Sequence, residues 1–298
     1  MCGINGIFGL EKITDSVSVI NKMNAALAHR GPDADGHFVS GNMALGHRRL
    51  SIIDLSDAGN QPFHSPDKRY TIIFNGEIYN YREIKSQLKE YKFKTNTDTE
   101  VLLAAYIKFG VSCLSKLNGM FAFAIWDNQS SELFIARDRM GVKPLYYHRS
   151  DNSFLFSSEI RSLLASGIVP RQTDKDALID YFRYQTVHAP RTILKNVFML
   201  LPGHYMKIND NEVKIEKYWN AADNYNEFAE NESYENCTKK IRELLLVSVE
   251  RRLISDVPFG AFLSGGIDSS AVVALMSKVS SHPVNTFTVT FSEEEFSE

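Results

Sequence analysis

The chain is short of glycine and proline, 17 and 9 among 298 residues, which excludes a fibrous or low-complexity polymer. It has no uninterrupted apolar run near the roughly 18 residues of a membrane span, so no membrane partner is expected. Charge of one sign is also missing: 33 basic residues face 36 acidic ones, a net charge of −3 with no basic arm or stripe. No nucleic-acid partner is expected on that balance, and only a local anion site stays open. Cysteine is scarce and odd in number, at positions 2, 113 and 237, without the close pairs of a zinc ribbon or redox couple. That usage fits a reduced, cytoplasmic compartment. The amino terminus carries no charged leader, apolar core or cleavage signal, so a secretory peptide is not expected either.

What is present describes a folded protein, 44% hydrophobic and 23% charged. The length predicts about two domains. Val19, Ile20, Met23, Ala26 and Leu27 recur at helical spacing and predict a helix from Val17 to His29. Further helices are expected from Tyr81 to Tyr91 and from Thr99 to Gly110. Short apolar runs predict strands at Met43 to Leu45, Leu50 to Ile53, Tyr70 to Phe74, Met120 to Trp126, Glu132 to Ala136, Leu145 to Tyr147 and Phe154 to Phe156. Strands and helices without regular alternation point to an α+β layered domain. Residues 219–233, polar and acidic without an apolar period, read as a linker.

Beyond the linker come a helix from Tyr234 to Arg252, a strand from Phe259 to Leu263, a glycine turn, a helix through Lys278 and a strand from Val284 to Phe291. This is the opening of a βαβ arrangement. Roughly 65 residues cannot complete a doubly wound domain, so the second domain is expected to be incomplete in the given sequence.

Cys2 stands out chemically. If Met1 is removed, one residue carries both a thiol and a free α-amino group, and an amine with a reference pKa of about 7.7–8.0 can take the thiol proton. Gly3 and Gly6 read as keeping the approach to that terminus uncrowded. Asn75-Gly76 is compatible both with a type I′ hairpin turn and with a pair of N–H donors. Cys113 and Cys237 fall in helical segments, where small buried residues are the ordinary reading.

Five segments occur in a fixed order: Met1-Cys2-Gly3-Ile4, His29-Arg30-Gly31-Pro32-Asp33, Gly46 to Asp54, Phe74 to Asn80, and Thr97-Asp98-Thr99-Glu100. Together they resemble the class II glutamine amidotransferase domain, a group of N-terminal-nucleophile hydrolases. The run Ser264-Gly265-Gly266-Ile267-Asp268-Ser269-Ser270, between a strand and a helix, resembles the pyrophosphate loop of an ATP-dependent partner domain. The combination is similar to the glutamine-hydrolysing asparagine synthetase family. The resemblance implies a four-layer αββα N-terminal-nucleophile hydrolase domain at 2–218, the linker at 219–233, and at 234–298 the truncated start of an α/β doubly wound adenine-nucleotide-binding domain.

It also implies roles. Cys2 attacks the side-chain amide of glutamine, releasing ammonia and leaving a thioester that water hydrolyses. Asn75 and Gly76 form the oxyanion hole. Arg49 takes the α-carboxylate of glutamine and Asp98, with Glu77, its α-ammonium, while Leu50, Ser51, Ile52 and Ile53 line the pocket as an edge of sheet. His29 to Asp33 has a supporting role. In the second domain Leu263, Ser264, Gly265, Gly266, Asp268, Ser269, Ser270 and Val289 bind ATP, and Asp268 holds Mg²⁺. The plainer reading of that loop is a Gly-Gly turn whose Asp and Ser cap a helix.

The implied substrates are glutamine, aspartate and ATP, with AMP transferred to the β-carboxylate of aspartate, no cofactor for the glutaminase domain, and a homodimer as the assembly. The fragment is expected to retain at most glutamine hydrolysis. Other acceptors, a carboxylate or a sugar acid, stay open, as does a glutamine or nucleotide sensor. The loop argues against enzymes of the glucosamine-6-phosphate synthase and amidophosphoribosyltransferase types.

Overall fold

The structure is a computed structural model that describes residues 1–9, 15–150, 153–224 and 232–292. The chain divides into two compact units, Met1–Asp223 and Asn224–Glu298. The expected linker lies partly outside the described residues, at 225–231.

In chain order the first unit begins with β1 (Gly3–Phe8), α1 (Ser16–Ala25), β2 (Ala34–Ser40), β3 (Met43–Arg49), β4 (Phe63–His64), β5 (Tyr70–Ile78), α2 (Tyr81–Gln87) and α3 (Asp98–Phe109). It continues with α4 (Cys113–Lys116), β6 (Gly119–Asp127), β7 (Glu132–Arg137), β8 (Tyr146–Arg149), β9 (Phe154–Ser157), α5 (Ile160–Ala165), α6 (Lys175–Tyr184), β10 (Val197–Met199), β11 (His204–Ile208) and β12 (Val213–Lys217). The strands form two six-stranded sheets, ordered β10-β8-β9-β1-β3-β2 and β12-β11-β7-β6-β5-β4. All their described pairings are antiparallel.

The two sheets share one apolar layer. Ile4, Phe8, Met43 and Leu45 of the first meet Ile73, Ala124, Trp126, Leu133, Ile135 and Met206 of the second, all buried. Because side chains alternate along a strand, Ile7, Ala44 and Leu155 point the other way and pack on Ile20 and Met23 of α1 and Leu163 of α5. On the far face of the second sheet lies α3, with Leu102, Leu103, Ala104 and Ala105 buried and the Tyr106 ring 4.9 Å from that of Phe134. Helix, sheet, sheet, helix is the expected four-layer αββα order.

Local chemistry sets the helix ends. Thr97 caps α3 by accepting from the Glu100 N–H at 3.2 Å, and Gly110 ends it at φ +57. Two expectations fail in this unit. Asn75-Gly76 is no turn: both residues lie inside the nine-residue β5, with Asn75 opposite Ala122 and Gly76 opposite Phe121 on β6. Leu50 to Ile53 is no strand or sheet edge, because β3 ends at Arg49 and the chain leaves the sheet there.

The second unit holds α7 (Tyr234–Arg252), β13 (Gly260–Phe262), α8 (Ile267–Val279) and β14 (Asn285–Phe287). Ser233 caps α7 by accepting from Asn236 N at 3.2 Å. β13 and β14 pair in parallel through the α8 crossover, the expected βαβ arrangement. Among the described residues no helix is long and apolar enough to cross a membrane.

Candidate active site

β1 begins beside the end of β3, with Gly3 opposite Arg48, which brings Cys2 to the end of β3 with its side chain against Leu50. Cys2 Sγ accepts from the Leu50 N–H at 3.4 Å and lies 3.6 Å from the Leu50 carbonyl oxygen. The glycines of β1 have a different use from the one expected: Gly6 is buried, and a Cβ there would come within 2.6 Å of Phe156 Cζ. Gly6 leaves room for the Phe156 ring of β9, its neighbour in the same sheet, and Gly3 for the Leu27 side chain just beyond α1.

Cys2 opens into a cavity of about 290 Å³ walled by the start of β1, the end of β3, the middle of β5, the first turn of α3, Met120 on β6 and Lys143. Arg49, Leu50, Ile52, Ile53, Asn75, Gly76, Glu77 and Asp98 all line it. Ser51 does not; its N–H turns away and donates to Asp33 Oδ2 at 2.8 Å. A larger open depression of about 480 Å³ at the other end of the sheets includes none of the residues singled out by sequence.

Asn75 is 1% exposed, and neither polar atom of its side chain has a hydrogen-bond partner. A buried amide left unpaired is costly, and its position on the cavity wall makes it a donor and acceptor open to a ligand. Arg49, 6% exposed, is occupied: Nη1 donates to Ser56 O at 2.7 Å and Asn60 Oδ1 at 2.9 Å, and Nη2 donates to Asp54 O. In this arrangement the guanidinium holds the loop after β3, and binding a carboxylate with both terminal nitrogens means exchanging those partners.

Electrostatics follow from burial. Asp98 accepts from the Ile78 N–H at 2.9 Å, yet burial, with Glu77 adding to it, pushes its carboxyl up to about 7. Burial also pushes the Cys2 thiol up, against the Leu50 N–H and the nearby amine, which lower it. The Met1 α-amine is lowered, chiefly by burial. Burial thus disfavours the charged form of both the Cys2 thiol and the neighbouring Met1 amine.

The His29 to Asp33 segment supports from behind. Arg30 Nε donates to the Cys2 carbonyl at 2.9 Å and Nη1 to Glu159 Oε1 at 3.0 Å. Gln61 and Lys143 were not singled out by sequence, and Thr97 only as part of a motif without a role of its own, although all three line the cavity. Gln61 receives no local signal, being placed by Oε1 accepting from Phe74 N at 2.6 Å. Thr97 was detectable as the cap of α3.

In the second unit, Ser264 to Ser270 joins β13 to α8. Gly265 takes φ +76, and Gly266 caps α8 without a side-chain hydrogen bond, leaving the first N–H groups of the helix exposed. Ser269 Oγ donates to Gly266 O at 3.0 Å and lies 3.1 Å from Ser264 Oγ. Leu263 N donates to Phe287 O at 2.9 Å, so Leu263 and Val289 sit at the carboxyl ends of adjacent parallel strands. Cys113 is buried as expected, but Cys237 is only half-buried on α7. Among the described residues no group of three or more His, Cys, Asp or Glu is placed to hold a metal ion.

Comparison with known proteins matches the model of the glutamine amidotransferase domain over residues 1–219 and that of asparagine synthase over residues 240–298. A Bacillus subtilis (strain 168) protein named asparagine synthetase [glutamine-hydrolyzing] 1 is 41% identical over 305 residues, covering 100% of this chain and 47% of the relative. A Gibberella zeae protein named amidase chry2 is 41% identical over 271 residues, 88% of this chain and 40% of the relative. The chain thus spans about half the length of the relatives it matches. A solved glutamine phosphoribosylpyrophosphate amidotransferase from Bacillus subtilis, complexed with ADP and GMP, has a TM-score of 0.56 at 20% identity, over 96% of this chain and 65% of that one. At that identity the likeness speaks for the fold alone. With its model matched over most of its length, the chain belongs to the glutamine amidotransferase domain family.

Proposed function

We propose that this chain carries the glutamine-hydrolysing half of an asparagine synthetase. The observation that carries the reading is Cys2, one residue from the amino terminus, with its Sγ in a 290 Å³ cavity that also contains the unpartnered amide of Asn75. Once Met1 is removed, the Cys2 amine accepts the thiol proton and the thiolate attacks the side-chain carbonyl of glutamine. The oxygen takes up negative charge, which the Asn75 amide and the Gly76 N–H offset. The C–N bond then breaks, ammonia leaves with a proton returned by the amine, and water cleaves the thioester to glutamate. Arg49, on exchanging its loop carbonyls, takes the α-carboxylate of free glutamine, and Asp98 with Glu77 takes the α-ammonium.

The loop from Ser264 to Ser270, with Leu263 and Val289, fits the phosphates and base of ATP, because exposed N–H groups at a helix start favour an anion. Asp268 in the first turn of α8 offers Mg²⁺ one carboxylate. A lone carboxylate suits an ion otherwise held by water and phosphate oxygens. Bound there, ATP supplies activation of the acceptor carboxylate, that of aspartate in this reading. The reading extends to a cytoplasmic setting, for which three unpaired thiols speak, to small-molecule substrates in place of membrane or nucleic acid, and to a homodimer.

The test is ammonia release from glutamine by the chain freed of Met1. Cys2→Ala should bring it to background with the circular dichroism unchanged; undiminished release overturns the nucleophile, and glutamine binding without turnover in the parent indicates a sensor. The relative named an amidase keeps a second acceptor in view. Amide formation dependent on glutamine and ATP, compared between aspartate and other carboxylates, decides between them.

A further inference from the structure

The turn after β7 is held more firmly than a surface connection requires. Asp138, 1% exposed, accepts four backbone N–H groups: those of Phe121 and Lys143 at Oδ2, 3.1 and 3.0 Å, and those of Met140 and Val142 at Oδ1, 3.1 and 2.9 Å. Arg137, also buried, donates from Nη2 to Gly141 O at 2.7 Å and from Nε to Lys143 O at 2.7 Å. Gly141 makes the bend at φ +67, where a Cβ would come within 2.7 Å of Pro202 Cγ. Both backbone polar groups of Lys143 are therefore fixed by buried charged side chains.

What this clamp accomplishes is to bury a lysine at the nucleophile. Lys143 is 4% exposed and lines the Cys2 cavity. Its Nζ donates to Met1 Sδ at 3.3 Å, a weak acceptor for an ammonium, and it interacts electrostatically with Glu77 and Cys2. Burial pushes the Lys143 ammonium down, and the neighbours that favour its charge are first the Glu77 carboxylate and then Cys2, so an anion forming on Cys2 during the reaction would add to what keeps that ammonium charged.

We propose that Lys143 is a positioning residue for the nucleophile: its buried ammonium stabilises the Cys2 thiolate in the cavity. The proposal rests on Cys2 being the glutaminase nucleophile. Other charged groups around Cys2 do not replace it. Arg30 is committed to Glu159 and the Cys2 carbonyl, and Arg49 to the loop after β3. Asp33, Glu77 and Asp98 are acidic, and the chain's own amine is the proton acceptor. The charge of Lys143 favours the ionised Cys2 thiol, opposing the burial that pushes the thiol up, and acts in the same sense on the Met1 amine, lowering it.

The experiment follows alkylation of Cys2 by iodoacetamide across pH in the full chain without Met1, with the modified peptide identified by mass spectrometry. In Lys143→Met the midpoint should rise by about one pH unit, and kcat/KM for glutamine near neutral pH should fall about tenfold and recover as pH rises. Lys143→Arg should keep the midpoint of the parent. Lys143→Gln makes the same comparison should the Met variant not fold. A folded neutral variant that titrates with the parent, or an Arg variant displaced as far as the Met variant, overturns the proposal. A shifted midpoint in a chain that never releases ammonia supports the role of Lys143 and counts instead against the glutaminase reading.

Discussion

Seven consecutive residues, Ser264 to Ser270, form the loop at the centre of one candidate site, whereas the cavity at Cys2 draws its walls from stretches as far apart as Met1, Arg49, Asn75, Asp98 and Lys143. The loop is exposed, and its chemistry comes from a helix start and a glycine at φ +76. The cavity is lined by buried groups, and its chemistry comes from burial, which shifts a thiol, an amine, a carboxyl and an ammonium together. A site of the first kind is written in local backbone geometry. One of the second kind exists only after four layers have packed, so it should be far more sensitive to substitution.

The sharpest contrast is expected at Asn75. Asn75→Ala should lower the turnover of glutamine by about 10²–10³, roughly 2.7–4 kcal/mol in the barrier. The thermal midpoint should hardly move, because the amide makes no hydrogen bond within the fold. Equal loss of activity and stability in that variant would show the amide to be structural. Next comes Gly76→Ala: the new Cβ collides with Met120 O and lies 2.8 Å from Phe121 Cα, forcing β5 from β6. A destabilisation of about 1–3 kcal/mol in denaturant unfolding is expected.

Asp98 adds a pH signature. Between its ordinary 3.8 and about 7 the folded chain keeps a proton that the unfolded chain has released. Its contribution therefore turns against the fold as pH rises through that window. Relative to the parent, Asp98→Asn should gain stability from about pH 4 to about pH 7, and a difference independent of pH contradicts the buried carboxyl. The smallest effect belongs to the loop: Gly265→Ala places a side chain at positive φ and should cost about 1–2 kcal/mol, with ammonia release untouched. A fall in ammonia release in that variant would erase the contrast between the sites.

Legibility in the sequence follows the same division. The loop, its strand and its helix were readable from neighbouring residues, and α7 runs over the expected Tyr234–Arg252. Cys2, Arg49, Asn75 and Asp98 were readable only because five motifs stand in order, since nothing local says that they meet. Asn75-Gly76 looked like a turn because the dipeptide signal is short-ranged; nine residues of ladder with β6 override it. The hairpin of β11 and β12 was missed although its alternating residues flank Asn209 to Glu212. Lys143 was invisible for a physical reason. A lysine in a turn ordinarily points to water, and here its burial depends on Asp138 and Arg137 clamping the backbone on either side.

The central claim, that the second residue is the nucleophile, meets its most direct test in a rapid acid quench of the Met1-free chain turning over glutamine, followed by peptide mass spectrometry. A γ-glutamyl adduct on the peptide that begins with Cys2 is predicted. Ammonia release without such an adduct, or with the adduct on Cys113 or Cys237, would contradict it.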